Sequence, residues 1–140
     1  MSRFLEVKHI DEILKDQLDR YGGEYGVRDA GLMESAVAAP RALFGRDLLH
    51  ADPLTQAGAY LFHLCSNHPF LDGNKRVALA SALVFLDLQD IEVYDHNDQL
   101  YELTMTIARS EISKEEATRW LATLCKPPIR DNTKGGLDTE

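Results

Sequence analysis

Apolar residues at Val7, Ile10, Ile13, Leu14 and Leu18 recur at helical spacing and predict an amphipathic helix over 7–18. The turn-rich run YGGEYG at 21–26 stops it. Asp29 then caps a second predicted helix, with Leu32, Met33, Ala36 and Val37 on its inner side and an end before Pro40. Residues 41–52 read as an irregular connection with a short helical turn at 42–44. Asp52 followed by Pro53 is a helix start, a capping residue with proline at the first helical position, and opens an alanine- and leucine-rich helix over 53–67. The run from Val77 to Leu88 is apolar except for Ser81 and Asp87, which predicts a helix buried in the middle of a bundle. Ile91, Val93 and Tyr94 suit a short extended segment. Two amphipathic helices follow over 98–108 and 113–124, the second opened by a capping box of Ser113 and Glu116. The tail over 127–140 has almost nothing to bury and is expected to be disordered. With few strand signals and no repeat, the prediction is one all-α domain over 1–126, about six helices around a buried central one.

A chain of 140 residues that is 44% hydrophobic can build a real core. Its formal net charge of -8 argues against general binding to nucleic acid or membrane surfaces, so no direct DNA binding is expected. No signal peptide opens the chain, and no apolar run reaches the roughly 18 residues of a membrane span. Cys65 and Cys125 lie in or beside apolar helical stretches and read as reduced, buried thiols of a cytoplasmic protein. His50 reads as a surface or packing histidine, not a ligand.

The chemistry is concentrated in HPFLDGNKR, residues 68–76. Pro69 disfavours the α region for His68 and so ends the preceding helix near Asn67. The next helix begins around Gly73 or Asn74 with Asp72 near its N-cap, where unpaired N–H groups and the positive end of the helix dipole attract an anion. His68 can cap a helix end or serve as a general base, since an imidazole titrates near neutral pH. Phe70 is the apolar member and is expected to plug the core. Asp72 can cap the helix or hold Mg²⁺ against phosphates, and one side chain can do both. Gly73 permits close approach of a ligand to the backbone. Asn74, Lys75 and Arg76 supply an amide, a point charge and a planar fork. A basic pair at a helix start is unfavourable with the dipole, so an anion is expected to compensate it.

This stretch resembles the signature loop of the Fic/Doc superfamily, in particular its death-on-curing (Doc) branch. Val27-Arg28-Asp29, Gly31-Leu32, Glu34-Ser35-Ala36 and the apolar helix after Arg76 extend the resemblance over roughly residues 5–124. It implies the Fic fold and the toxin of a toxin–antitoxin pair, using ATP and Mg²⁺ to phosphorylate a threonine or serine of elongation factor Tu and so arrest translation. His68 would then be the general base and Asp72 the metal ligand, with Gly73, Asn74, Lys75 and Arg76 binding the nucleotide phosphates. Fic proteins that transfer AMP usually carry glycine after the asparagine and a second arginine three residues past the first; here those positions are Lys75 and Leu79. Gly73, by contrast, is typical of AMP-transferring loops, so AMP transfer stands as the alternative. A catalytically idle binding module is the third reading. Many Fic proteins silence themselves through a Ser/Thr-x-x-x-Glu-Gly/Asn helix; Ser2 to Glu6 has the spacing, but Val7 follows. Inhibition is therefore expected in trans, from an antitoxin helix laid into an apolar groove.

Overall fold

The structure, a computed structural model, describes residues 4–94 and 97–127. The expected disorder of the tail falls on residues outside these from 128 onward. Six helices account for most of the described chain: α1 Val7–Tyr21, α2 Ala30–Ala38, α3 Pro53–Asn67, α4 Asn74–Leu88, α5 Asn97–Ala108 and α6 Lys114–Thr123. The fold is all-α.

Local signals set most helix ends. Asp29 accepts the Leu32 N–H at 3.0 Å to open α2. Asp52 accepts the Thr55 N–H at 2.9 Å to open α3, with Pro53 in the first turn. Ser113 and Glu116 cap α6 reciprocally, at 3.0 and 2.8 Å. α1 opens less conventionally. Glu6 takes the cap position and the His9 imidazole nitrogen Nδ1 accepts the Glu6 N–H at 2.9 Å.

The connection after α2 differs from the expected turn at 42–44. A 3₁₀ turn occupies Ala39–Arg41 instead, and a two-residue hairpin follows, β1 Leu43–Phe44 against β2 Asp47–Leu48. Pro40 sets the tight turn directly behind α2. Gly45, at φ 65, supplies the left-handed residue that reverses the chain. The extended segment after α4 exists but is minimal. Val93 bridges Cys125, and the Tyr94 N–H donates to the Leu124 carbonyl at 2.7 Å, tying the segment to the chain leaving α6.

α3 and α4 share the middle of the bundle, and α3 also packs against α2, α5 and α6. A Cβ at Gly58 would collide with Thr118, so glycine there lets α3 and α6 approach closely. Tyr60 is buried with its hydroxyl satisfied by the backbone of Leu5, at 2.7 and 3.1 Å, and its ring lies 5.1 Å from that of Phe85. α4 buries Val77, Ala78, Ser81, Ala82, Phe85 and Leu86. Another stripe of it, Ala80, Val84 and Leu88, lines an open groove of about 560 Å³ with Phe4 and Ile13. The apolar run is therefore more than core: one stripe of it is surface. Among the described residues no helix is long and apolar enough to cross a membrane.

Candidate active site

The α3–α4 loop is held from outside by the connector between α1 and α2, residues 22–29. The two run antiparallel as a short ladder. The Arg28 and Asp29 N–H groups both donate to the Pro69 carbonyl (2.7 and 3.1 Å), Val27 bridges Phe70, and the Leu71 N–H donates to the Gly26 carbonyl at 3.0 Å. The Glu24 N–H donates to Asp72 Oδ2 at 2.7 Å. The turn-rich break seen in the sequence is thus the outer wall of the loop. Gly23 and Gly26 permit it, because a side chain at either would meet Leu18 or Leu71.

α3 ends at Asn67 as the proline requires, and His68 occupies its C-cap with φ 54 and ψ 52. The escape from the α region is into the left-handed one, not the extended one. His68 is exposed, and among the described residues its imidazole makes no hydrogen bond. Phe70, 1% exposed, lies in the core beneath it. Asp72 does not cap α4. Gly73 takes the cap position at φ 81, and among the described residues no side chain caps that end. The first-turn N–H groups of α4 therefore open toward the loop without a capping acceptor. Gly73 has its own conformational reason, since L side chains are strained at that φ.

The three donors expected of the helix start are not equally free. Asn74 is buried and folds back on the loop: its Oδ1 accepts the Phe70 N–H at 2.9 Å and its Nδ2 donates to the Phe70 carbonyl at 3.0 Å. Both ends of the amide are used in shaping the backbone. Arg76 reaches the C-terminal end of α1, donating to the Gly22 carbonyl at 3.0 Å and the Gln17 carbonyl at 3.4 Å, with its guanidinium 5.7 Å from the Tyr21 ring. A cation at a helix C-terminus is favoured by the dipole, which accounts for this placement. Lys75 alone is exposed and in no ion pair among the described residues. Asp72 is exposed, and Glu24 engages one of its two oxygens. The other is available to a Mg²⁺, an ion that takes one or two carboxylates and completes its shell with phosphates and water. No group of three His, Cys, Asp or Glu able to hold a metal occurs among the described residues.

Sequence reasoning missed Arg28. Its Nε donates to the His68 carbonyl at 2.8 Å and its Nη2 to the Asn67 carbonyl at 3.1 Å. Its signals were its place beside the capping Asp29 and within the Val27-Arg28-Asp29 run that extends the resemblance, and neither gave it a role. A second histidine–cation cluster lies where α3 meets α6. There His63 Nε2 is 3.4 Å from Lys114 Nζ, and burial, followed by Lys114 and His50, lowers His63 to about 4. His50 is buried and is likewise lowered by burial. Of the surface and packing readings that the sequence left open, its burial supports packing. Both cysteines are free thiols; burial pushes Cys65 up to about 11, against the opposing pull of Lys75, while Cys125 is only partly buried.

A model of the Fic/DOC family matches residues 4–86, a span that includes α1, the connector, the hairpin, the loop and most of α4. The chain belongs to the Fic/DOC family. It is 42% identical over 74 residues to toxin Doc of Mycolicibacterium smegmatis, a stretch that is 52% of this chain and 56% of that protein. It is 35% identical over 96 residues to protein kinase doc of Escherichia phage P1, covering 69% of this chain and 75% of the phage protein. The match to the mycobacterial toxin thus spans little more than half of that relative's length.

Proposed function

We propose that this chain is a Doc-type toxin that transfers the γ-phosphoryl group of ATP to a serine or threonine hydroxyl of a translation factor resembling elongation factor Tu. The observation that carries the reading is an exposed histidine, free of hydrogen bonds to its ring among the described residues, on a braced loop that ends in a helix start with no side-chain cap among them and bearing an exposed lysine. The names of the two relatives, a toxin and a protein kinase, support it. In the reaction, His68 takes the proton of the acceptor hydroxyl as its oxygen bonds to the γ-phosphorus. The bond from phosphorus to the β–γ bridging oxygen breaks, and ADP leaves with the electron pair. Lys75 and the first-turn N–H groups of α4 neutralise the charge spreading over the transferred group. Gly73 lets the phosphates approach the backbone, Arg76 adds its unused donors, and Asn74 acts by fixing the loop. A Mg²⁺ held by the available oxygen of Asp72 would supply further charge neutralisation.

AMP transfer is the less favoured outcome, for two reasons. Lys75 fills the position where AMP-transferring relatives have glycine. Leu79 packs against the core where those relatives place a second arginine. Gly73 does not restore the balance, because its positive φ gives glycine a conformational reason of its own. With purified chain and elongation factor Tu, label should pass from γ-labelled ATP and not from α-labelled ATP. Transfer of the α label would overturn the phosphotransfer reading.

The partner that silences such a toxin fits the groove between α1 and α4. Its apolar floor is Phe4, Ile13, Ala80, Val84 and Leu88, and Glu12 and Asp16 stand among its lining residues. An antitoxin helix with an apolar stripe and basic flanks matches that pattern. Val84→Glu should leave phosphotransfer intact and abolish neutralisation by the cognate antitoxin; neutralisation at wild-type strength would place the antitoxin elsewhere.

A further inference from the structure

We infer that Arg28 is a positioning residue of this site, fixing the backbone torsions of His68 and thereby the aim of its imidazole. The inference rests on the reading of His68 as general base.

His68 is a non-glycine residue at φ 54 and ψ 52. The left-handed conformation costs an L-residue roughly 1–2 kcal/mol, and glycine is the usual way to avoid that cost. A residue whose side chain is needed for chemistry cannot take that route, so the conformation must be imposed from outside. Three restraints converge on it. On one side, the Asn67 side chain donates to the Leu32 carbonyl of α2 at 2.9 Å. On the other, Pro69 has a fixed φ and a carbonyl that accepts two N–H groups from the connector.

The third restraint is Arg28. The carbonyls of Asn67 and His68 lie at the end of α3, where helix geometry leaves them without intrahelical donors. They also bracket residue 68: the first lies on the φ side of its Cα and the second on the ψ side. Arg28 bonds both, at 3.1 and 2.8 Å, through one planar guanidinium. A rigid fork spanning both carbonyls fixes both torsions together. A lysine ammonium is a single point on a flexible stem and cannot span them equivalently.

Arg28 is exposed and adds nothing to the core, so its removal should change aim much more than stability. Misplacing a reacting group by about 1 Å can cost on the order of 10²-fold in rate. With γ-labelled ATP and elongation factor Tu, Arg28→Ala and Arg28→Lys should each lower kcat by about 10- to 100-fold while the KM for ATP moves less than about twofold. Full kcat in Arg28→Lys would show that charge suffices and overturn the inference. In the His68→Ala background, Arg28→Ala should lower the residual rate no further; an equal loss in both backgrounds would mean that Arg28 does not act through His68. A readout independent of the reaction separates the two hypotheses. The three-bond HN–Hα coupling and backbone shifts of residue 68 should leave left-handed values in Arg28→Ala. Unchanged values would overturn the positioning role even if His68 proves to be the base. Changed values with full activity in His68→Ala would uphold the positioning and overturn the base.

Discussion

Two regions of this molecule carry the same residue types to opposite ends. At the α3–α4 loop, His68 stands with Lys75 beside the start of α4; where α3 meets α6, His63 and His50 stand with Lys114 beside the start of α6. Both combine histidine and lysine around a helix N-terminus, the composition from which an anion site would be guessed. The difference is burial. His63 lies within the packing of α3 on α6, its ring edge-on to Phe62 and its Nε2 beside an ammonium, and it is held to about 4. It is neutral at physiological pH but a poor base, because protonation would put two positive charges side by side in a partly dry place. His68 is exposed, its ring bonded to nothing within the described residues, and its backbone is the part that is held. A catalytic histidine needs a rigid main chain and an unspent side chain; His63 has neither a free ring nor an open approach.

The largest effect that can test this contrast is on rate. His68→Ala should lower phosphotransfer by about 10²- to 10⁴-fold, the range for losing a general base, with the melting temperature nearly unchanged. His63→Gln should leave the rate within about twofold, an estimate that follows from its place outside the loop. Comparable losses in the two variants would erase the distinction between the clusters.

Of this arrangement, the parts written in local signals were legible in the sequence. Asp29, Asp52-Pro53 and the Ser113–Glu116 pair announce helix starts because a cap and its N–H partners lie within three residues. The contiguous loop made its residue types readable at once. What was not legible depends on partners far along the chain. The expected N-cap at Asp72 is instead a bond to the Glu24 N–H, 48 residues away, and the expected turn at 42–44 is a hairpin behind the Ala39–Arg41 turn. Asn74 and Arg76 show the limit most clearly. Their donor inventories were correct, but an inventory says what a side chain can bond, not which carbonyl has already claimed it. Arg28, read only as part of the Val27-Arg28-Asp29 run, was given no role because its partners, the carbonyls of Asn67 and His68, are 39 and 40 residues away.

A middle-sized effect sharpens the contrast through what lies under the loop. Phe70 is 1% exposed, and the buried amide of Asn74 clasps its backbone from both sides. Phe70→Ala should destabilise the fold by roughly 3–5 kcal/mol, the cost of a large cavity, measured as the shift in urea midpoint at constant slope. The loop histidine and its plug would then separate cleanly, one governing rate and the other stability. If Phe70→Ala costs under about 1 kcal/mol, the loop is held by its connector ladder and not by the core.

The smallest effect concerns the other cluster and is read through pH. Burial is the first cause of the low value at His63, followed by the charge of Lys114 and then His50. His50 is lowered in turn by burial and Lys114, while the Ala39 carbonyl and Glu115 act in the opposite sense. An unfolded histidine titrates near 6.5, so between about 6.5 and 4 the unfolded chain holds a proton at position 63 that the native chain does not. Stability from this source is complete above about pH 6.5 and declines as pH falls toward 4. His63 is only partly enclosed, so solvent screening reduces the loss to on the order of 1–2 kcal/mol. Urea titrations at pH 7.5 and pH 5 stay largely above the carboxylate range, where Asp11, lowered chiefly by its bond from Tyr25, would add its own acid loss. The wild-type chain should lose stability between these two values, and His63→Gln should lose measurably less. Lys114→Gln should also shrink the difference, because His63 would then protonate more easily in the native state. An equal pH response in wild type and His63→Gln would show that the α3–α6 histidine does not carry this linkage.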